Sequence, residues 1–375
     1  SNGAVVAREH LLSEPSEPRG SQTRPSLGLL RGAQSGPLVS RRRLQIALAL
    51  FWLLDGALQL QPFMFTRGFA EQVIAPAAGG QPAFVVDPVH WSAALILGHP
   101  VLWDALFAAV QLAIGAGLLF RRTVRPAIVV SIGWALGVWV LGEGIGGLAG
   151  GTATFLTGAP GAVILYGLVG LAAWPRLEAE GRASLSSSSA GLRARSRVLF
   201  APAGDGRPAA WVPAAWAALW CLFALLRAVS ATYSAGSLAD QLRASASSAP
   251  GWLAQAERSL ATAAGHGIGP VLALVLVEAA VGVLALWEGA PRRIAVAVGV
   301  GLALAVWVMG QAFGQISTGM GTDPSSAPLV VLLAAALWGS GATEPAMPLW
   351  AGRWHSGSEL PRGARRRVAS ALPPP

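Results

Sequence analysis

Residues 139–147 read WVLGEGIGG, and residues 307–315 read WVMGQAFGQ. Each closes an apolar stretch, and each sets a polar residue four places after a tryptophan. Trp139 answers Trp307, and Glu143 answers Gln311, at a constant offset of 168. The same spacing reappears along the chain. Trp52 meets Trp220, and Phe65 meets Tyr233. At an offset of 167, Gln111 and Gly115 meet Glu278 and Gly282, and Gly98-His99 meets Gly265-His266. Pro160 and Trp174 meet Pro324 and Trp338 after a small deletion. Matches of Ala or Leu carry little information in apolar sequence, but regular offsets among Trp, His, Pro and Gly do. Residues 44–175 and 211–341 therefore read as two copies of one unit.

Composition sets what that unit is. Apolar residues make up 53% of the chain and charged residues only 12%, about half the charged share of an ordinary soluble domain. A bilayer is crossed by about 20 apolar residues in a helix. Eight runs approach that length: Leu44–Leu60, Pro100–Phe120, Pro126–Glu143, Pro160–Trp174, Trp211–Ala231, Ile268–Trp287, Ile294–Phe313 and Ser326–Gly341. The fourth and eighth are short for a span. The expected fold is an all-α integral membrane protein with eight transmembrane helices in two pseudo-symmetric four-helix repeats. Four spans per unit makes both copies enter from the same side, a parallel repeat about an axis along the membrane normal.

Charge placement orients the chain. Its 27 basic residues are all arginine. Of these, 23 precede the first run, follow the last, or lie between runs two and three, four and five, or six and seven. The alternate loops hold only Arg67, Arg243 and Arg258. By the positive-inside rule both termini are expected in the cytoplasm of a bacterial cell (inner) membrane protein. The net charge of +9 then reflects topology and contact with anionic lipid heads, so nucleic acid is not an expected partner. Residues 1–43 and 342–375 read as disordered cytoplasmic tails, and 176–210 as a basic cytoplasmic linker. No cleavable signal peptide is expected, because the first apolar run begins at Leu44. The single cysteine, Cys221, lies within the fifth run, which argues against a disulfide framework, a Cys-x-x-Cys redox site and a thiolate metal cluster. The long loops at 61–99 and 232–267 carry amphipathic stretches at 69–74, 91–97, 238–243 and 252–264, expected to lie along the outer interface.

Polar groups inside apolar runs carry the functional information, because each costs about 2.5–3.5 kcal/mol at mid-bilayer. Glu278 lies near the centre of the sixth run and reads as a protonatable or ligand-binding group, against a simple packing role. Asp55 and Arg227 lie on the first and fifth runs, where an ion pair between the halves competes with separate local contacts. Glu143 and Gln311 close the third and seventh runs amid glycines that allow close backbone approach or an unwound helix. One asymmetric cavity is expected, with Glu278 at depth, Glu143 near its outer mouth, Trp139 and Trp307 lining it, and Gln111 and Gln311 standing opposite the two glutamates. Against this stands a pair of separate bundles whose polar groups are satisfied locally. His99 and His266, equivalent in the two copies, are the only sharp candidates for a haem or metal. Capping or solvated histidines are the expected reading there, so no metal site and no haem are anticipated.

A first span, an outer amphipathic loop and a span carrying Glu278-x-x-x-Gly282 before a basic turn resemble the four-span DoxX-like superfamily. In the first copy Gln111 stands at the glutamate's place. That resemblance implies a membrane subunit linked to quinone and sulfur redox chemistry, with a membrane or redox protein as partner. The whole chain, with WLLDGALQLQPFMF and LTGAPGAVILY, also resembles a family of actinobacterial polytopic membrane proteins without an assigned activity. The expected function is a non-catalytic membrane component binding a small apolar molecule, lipid or quinone. The alternative is a proton-coupled secondary transporter using Glu278.

Overall fold

A computed structural model describes residues 40–175, 209–265 and 267–340. Most of the two tails and of the linker read from the sequence lies outside the described residues, as does His266; Arg41–Arg43, read as tail, open helix α1. Every regular element among the described residues is helical. The helices are α1 (Arg41–Gln59), α2 (Ala83–Gly98), α3 (Pro100–Leu119), α4 (Val124–Leu141), α5 (Ala162–Ala172), α6 (Val212–Tyr233), α7 (Ser237–Ala246), α8 (Gly251–Ala264), α9 (Ile268–Leu284), α10 (Ala290–Met309) and α11 (Ser326–Ser340). Shorter helical turns sit at Phe69–Ile74, Ala75–Ala78, Gly144–Gly150, Phe155–Thr157 and Ala312–Thr318.

Four segments are long and apolar enough to cross a bilayer: Pro100–Leu119, Val124–Leu141, Val212–Thr232 and Ala290–Thr318. A fifth exists if α8 and α9, bent by 104°, count as one broken span. The other apolar runs differ for identifiable reasons. Helix α1 opens on Arg41, Arg42 and Arg43 and carries Asp55. Helix α5 has 11 residues, a rise of about 16 Å against a hydrocarbon thickness near 30 Å. The rest of that run, and the stretch before α11, is irregular backbone. Among the amphipathic stretches of the outer loops, 238–243 and 252–264 lie in α7 and α8, and 91–97 lies inside α2.

The helices that can cross a bilayer keep large apolar side chains outward. On α3, Val101 and Leu102 are 60% and 64% exposed, and Leu276 on α9 is 70% exposed. In water that much apolar surface would be a liability. Facing lipid tails it is the ordinary outer surface of a membrane helix.

Inside, Trp52, Tyr166, Trp216, Trp220 and Phe223 are fully buried in one core that draws on both halves. Glycine sets how closely the first helix of each half can approach. A Cβ on Gly115 would meet the Ala49 carbonyl at 3.0 Å, and one on Gly282 would meet the Ala217 carbonyl at 2.9 Å. Both contacts join the sequence-equivalent pairs α1–α3 and α6–α9. Gly115→Ile and Gly282→Ile should each destabilise the protein by about 1–3 kcal/mol through forced separation of these helices. Gly301→Ala, whose Cβ would meet nothing, should not. Thermal unfolding in detergent checks this, and equal melting of all three variants would remove the close-approach argument.

Candidate functional site

The repeated stretch WVLGEGIGG/WVMGQAFGQ turns out to be a backbone device. After α4 the chain takes left-handed dihedrals at Gly144, Ile145, Gly146 and Gly147; after α10 it does so at Ala312, Phe313, Gly314 and Gln315. Gly146 needs no side chain there, because a Cβ would run into the Pro160 carbonyl. Gly314 meets the Asp323 and Pro324 backbone in the same way. Each reversal is fastened by two side chains. Trp139 Nε1 donates to Pro160 O at 2.7 Å, and Trp307 Nε1 donates to Pro324 O at 2.9 Å. Glu143 Oε1 accepts from the Val163 N–H at the start of α5, and Gln311 Oε1 accepts from the Ala327 N–H at the start of α11. The first N–H groups of a helix have no partner within it, so these two side chains act as caps.

The caps differ in what they leave over. Gln311 also donates to Phe155 O and to Ser326 Oγ, at 3.0 and 2.9 Å, which uses both ends of its amide. Glu143 Oε2 has no hydrogen-bond partner. The residue lines a cavity of about 980 Å³ on the first-half side of the molecule, with that oxygen buried beside Gly161.

Apolar walls of that cavity come from Trp103, Phe107 and Trp134. Phe107 lies edge-on to Trp134, 5.6 Å between ring centroids, and 6.1 Å from Trp103. The polar lining includes Asp55, Gln59, Gln111, Glu143 and Asp323. Asp55 is 3% exposed, and its Oδ1 has no partner, although its side chain lies beside the Tyr166 hydroxyl. Gln59 donates instead to Asp104 Oδ1. Asp323 is held by the Thr322 hydroxyl and the Ser325 N–H at 2.9 and 2.7 Å. Burial pushes its carboxyl above the ordinary range against those two hydrogen bonds.

The structure therefore brings Asp55, Gln111 and Glu143 to one cavity and places the other sequence candidates elsewhere. Trp139 and Trp307 hold backbone turns rather than the cavity wall. His99 is exposed between α2 and α3. Glu278 does not lie at the depth of the cavity, and Arg227 does not reach across to Asp55. The two meet each other, within the second half. Arg227 Nε lies 3.0 Å from both carboxylate oxygens of Glu278, and Nη2 lies 2.6 Å from Oε1, with both side chains almost fully buried. The physical reason is proximity: Arg227 on α6 faces α9 across the contact that Gly282 keeps close.

Sequence reasoning missed Asp323, Asp104 and Tyr166. Asp104 was visible as a carboxylate inside the second apolar run. Nothing local in the sequence says that Asp323, from the second half, closes a cavity in the first. No protein family, curated protein or solved structure matches the chain.

Glu278→Gln and Arg227→Gln should each cost about 3–5 kcal/mol by leaving a buried charge alone, with the double variant recovering part of the loss. A double-mutant cycle on melting temperature measures it. Additive losses would mean the two groups act independently.

Proposed function

We propose that the chain is a multi-pass protein of the bacterial cell membrane that binds a small molecule with an apolar body, such as a lipid or quinone, between its helices. In this reading it has eight spans in two parallel four-helix repeats, with both termini cytoplasmic. The arginine distribution supports that orientation. The repeat is supported by the paired clasps at Trp139/Glu143 and Trp307/Gln311, and by the glycine contacts at Gly115 and Gly282. The resemblance of each half to a DoxX-like unit adds a link to a redox system and to a membrane or redox partner.

The binding role rests on one observation: a cavity of about 980 Å³, walled by aromatic rings and lined by residues that keep buried polar atoms without partners. Sites for small organic molecules combine apolar walls with a few placed polar groups in this way. The proton-coupled alternative assigns the carrier to Glu278. That carboxylate is bound by Arg227 on both oxygens, so binding in the cavity is the reading the geometry favours.

Gly137 lines the cavity, and a Cβ there would meet nothing within 4 Å. Gly137→Leu should fill space without disturbing packing, and a better helix former should offset about 1 kcal/mol of any loss. Mass spectrometry of the purified protein should find a lipid or quinone in near-stoichiometric amount, and find it reduced in this variant. Unchanged occupancy, or nothing bound in either protein, would remove the binding role. Reporter fusions after Arg122 and Arg195 should read inside the cell, and one after Ala77 outside; the reverse would overturn the topology.

A further inference from the structure

Three carboxyl groups reach the cavity from three parts of the chain. Asp55 comes from α1, Glu143 from the reversal after α4, and Asp323 from the loop before α11. No arginine, lysine or histidine is among the residues that line it. Asp323 is near enough for its charge to bear on both Asp55 and Glu143, so it repels each of them. Asp55 Oδ1 and Glu143 Oε2 have no hydrogen-bond partner, although the Tyr166 hydroxyl lies beside Asp55. Gln111 Oε1 and Gln81 Oε1 are unpartnered too, but a glutamine amide can turn over, so the carboxyl oxygens decide the point. A buried carboxylate is tolerated when a counter-charge with hydrogen-bond donors meets it.

The second half contains that counter-charge. Arg227 neutralises Glu278 there, but the residue aligned with Arg227 in the first half is Gln59, which is engaged with Asp104. The first half thus has carboxyl groups around an opening where the second half has a guanidinium. A ligand carrying only carbonyl oxygens could accept from the unpartnered Trp134 Nε1 but would leave the carboxyl groups without a counter-charge. One carrying N–H donors and a positive charge would supply both missing properties. A metal ion fits poorly: among the described residues no group of three or more His, Cys, Asp or Glu side chains is gathered closely enough to hold one. The volume and the Trp103–Phe107–Trp134 wall call for an organic body, and aromatic faces add attraction for a cation.

We infer that the cavity takes a lipophilic organic ammonium, its cationic head drawn to the side formed by Asp55, Glu143 and Asp323 and its apolar body against Trp103, Phe107 and Trp134. This rests on the binding role proposed above and narrows it from neutral molecules to amines.

The test compares two amines with neutral counterparts of the same shape: tryptamine with tryptophol, and dodecylamine with dodecanol. Binding is measured to the full chain in nanodiscs of zwitterionic lipid, with empty nanodiscs subtracted. At least one amine should bind about 10- to 100-fold more tightly than its alcohol, the range of a charged hydrogen bond. Asp55→Asn and Asp323→Asn should each erase most of that preference while leaving alcohol binding unchanged. Asp55→Glu should keep it, and Glu288→Gln, at an exposed site, should not affect it. Asp55→Asn should also raise the melting temperature of the ligand-free protein, which a merely structural aspartate would not do. Equal binding of amine and alcohol overturns the ammonium assignment and leaves the apolar-ligand reading standing. So does a preference that survives both asparagine variants. If no amine binds while a neutral lipid or quinone co-purifies in a Gly137-sensitive way, only the ammonium assignment falls; if nothing binds or co-purifies, both fall.

Discussion

Helices α5 and α11 begin inside the protein, and their first N–H groups have to be met there. At bilayer depth an unmet backbone group costs several kcal/mol, because no water stands in for a partner. The chain solves this by folding back on itself after α4 and α10. That return brings Glu143 and Gln311 to the starts of the next helices, and it forces left-handed dihedrals that most residues resist by about 1–2 kcal/mol each. Ile145, Phe313 and Gln315 accept that conformation all the same. They are held to it by the tryptophan bonds to Pro160 and Pro324 and by the caps themselves. The glycines, the tryptophans and the polar residue are thus parts of one mechanical device, present in both halves.

The halves part company over charge. A glutamine cap can be satisfied completely, and Gln311 is, through three hydrogen bonds. A glutamate cap keeps an oxygen in reserve. Deeper in the second half, Glu278 finds its counter-ion in Arg227. In the first half the equivalent positions are Gln111 and Gln59, and Asp55 and Glu143, which line the cavity, each keep a buried oxygen without a partner. The cavity lies where the balance of donors and acceptors was left incomplete.

Much of this was legible in the sequence. Long apolar runs predict α3, α4, α6 and α10, and the short fourth and eighth runs correspond to the short apolar helices α5 and α11. The echo at residues 139–147 and 307–315 located the clasps, although side-chain type alone suggested a cavity lining rather than a cap. Glu143, Gln111 and Asp55 were identified as a set of interior polar groups because an intramembrane carboxylate is expensive. Which of them would meet was not legible. Asp55 and Arg227, on the first and fifth runs, suggested a pair between halves, while the real partner lay on α9, four residues before a glycine that lets α6 and α9 touch. Pairing is a property of distance across the fold, and periodicity along one helix does not encode it.

The least legible feature is the one that ties the halves together. Phe155, on the connection into α5, stacks on Phe223 at 4.1 Å and packs edge-on to Trp220, both in α6; its carbonyl accepts from Gln311. The connection into α11 returns the exchange, carrying Thr322, Asp323 and Ser325 to the cavity beside Glu143 and Asp55. Each half thus completes its partner's interior with the same part of the unit, just before its short last helix. Neither four-helix group is then a self-sufficient bundle, and the buried aromatic core running from Trp52 to Phe223 has no internal boundary to separate along. The cavity is lined from both halves, and its Asp323 is fixed to the start of α11 through Ser325. A duplicated unit that kept one carboxylate paired and left the other open would, by this exchange, make a single site from two unequal parts.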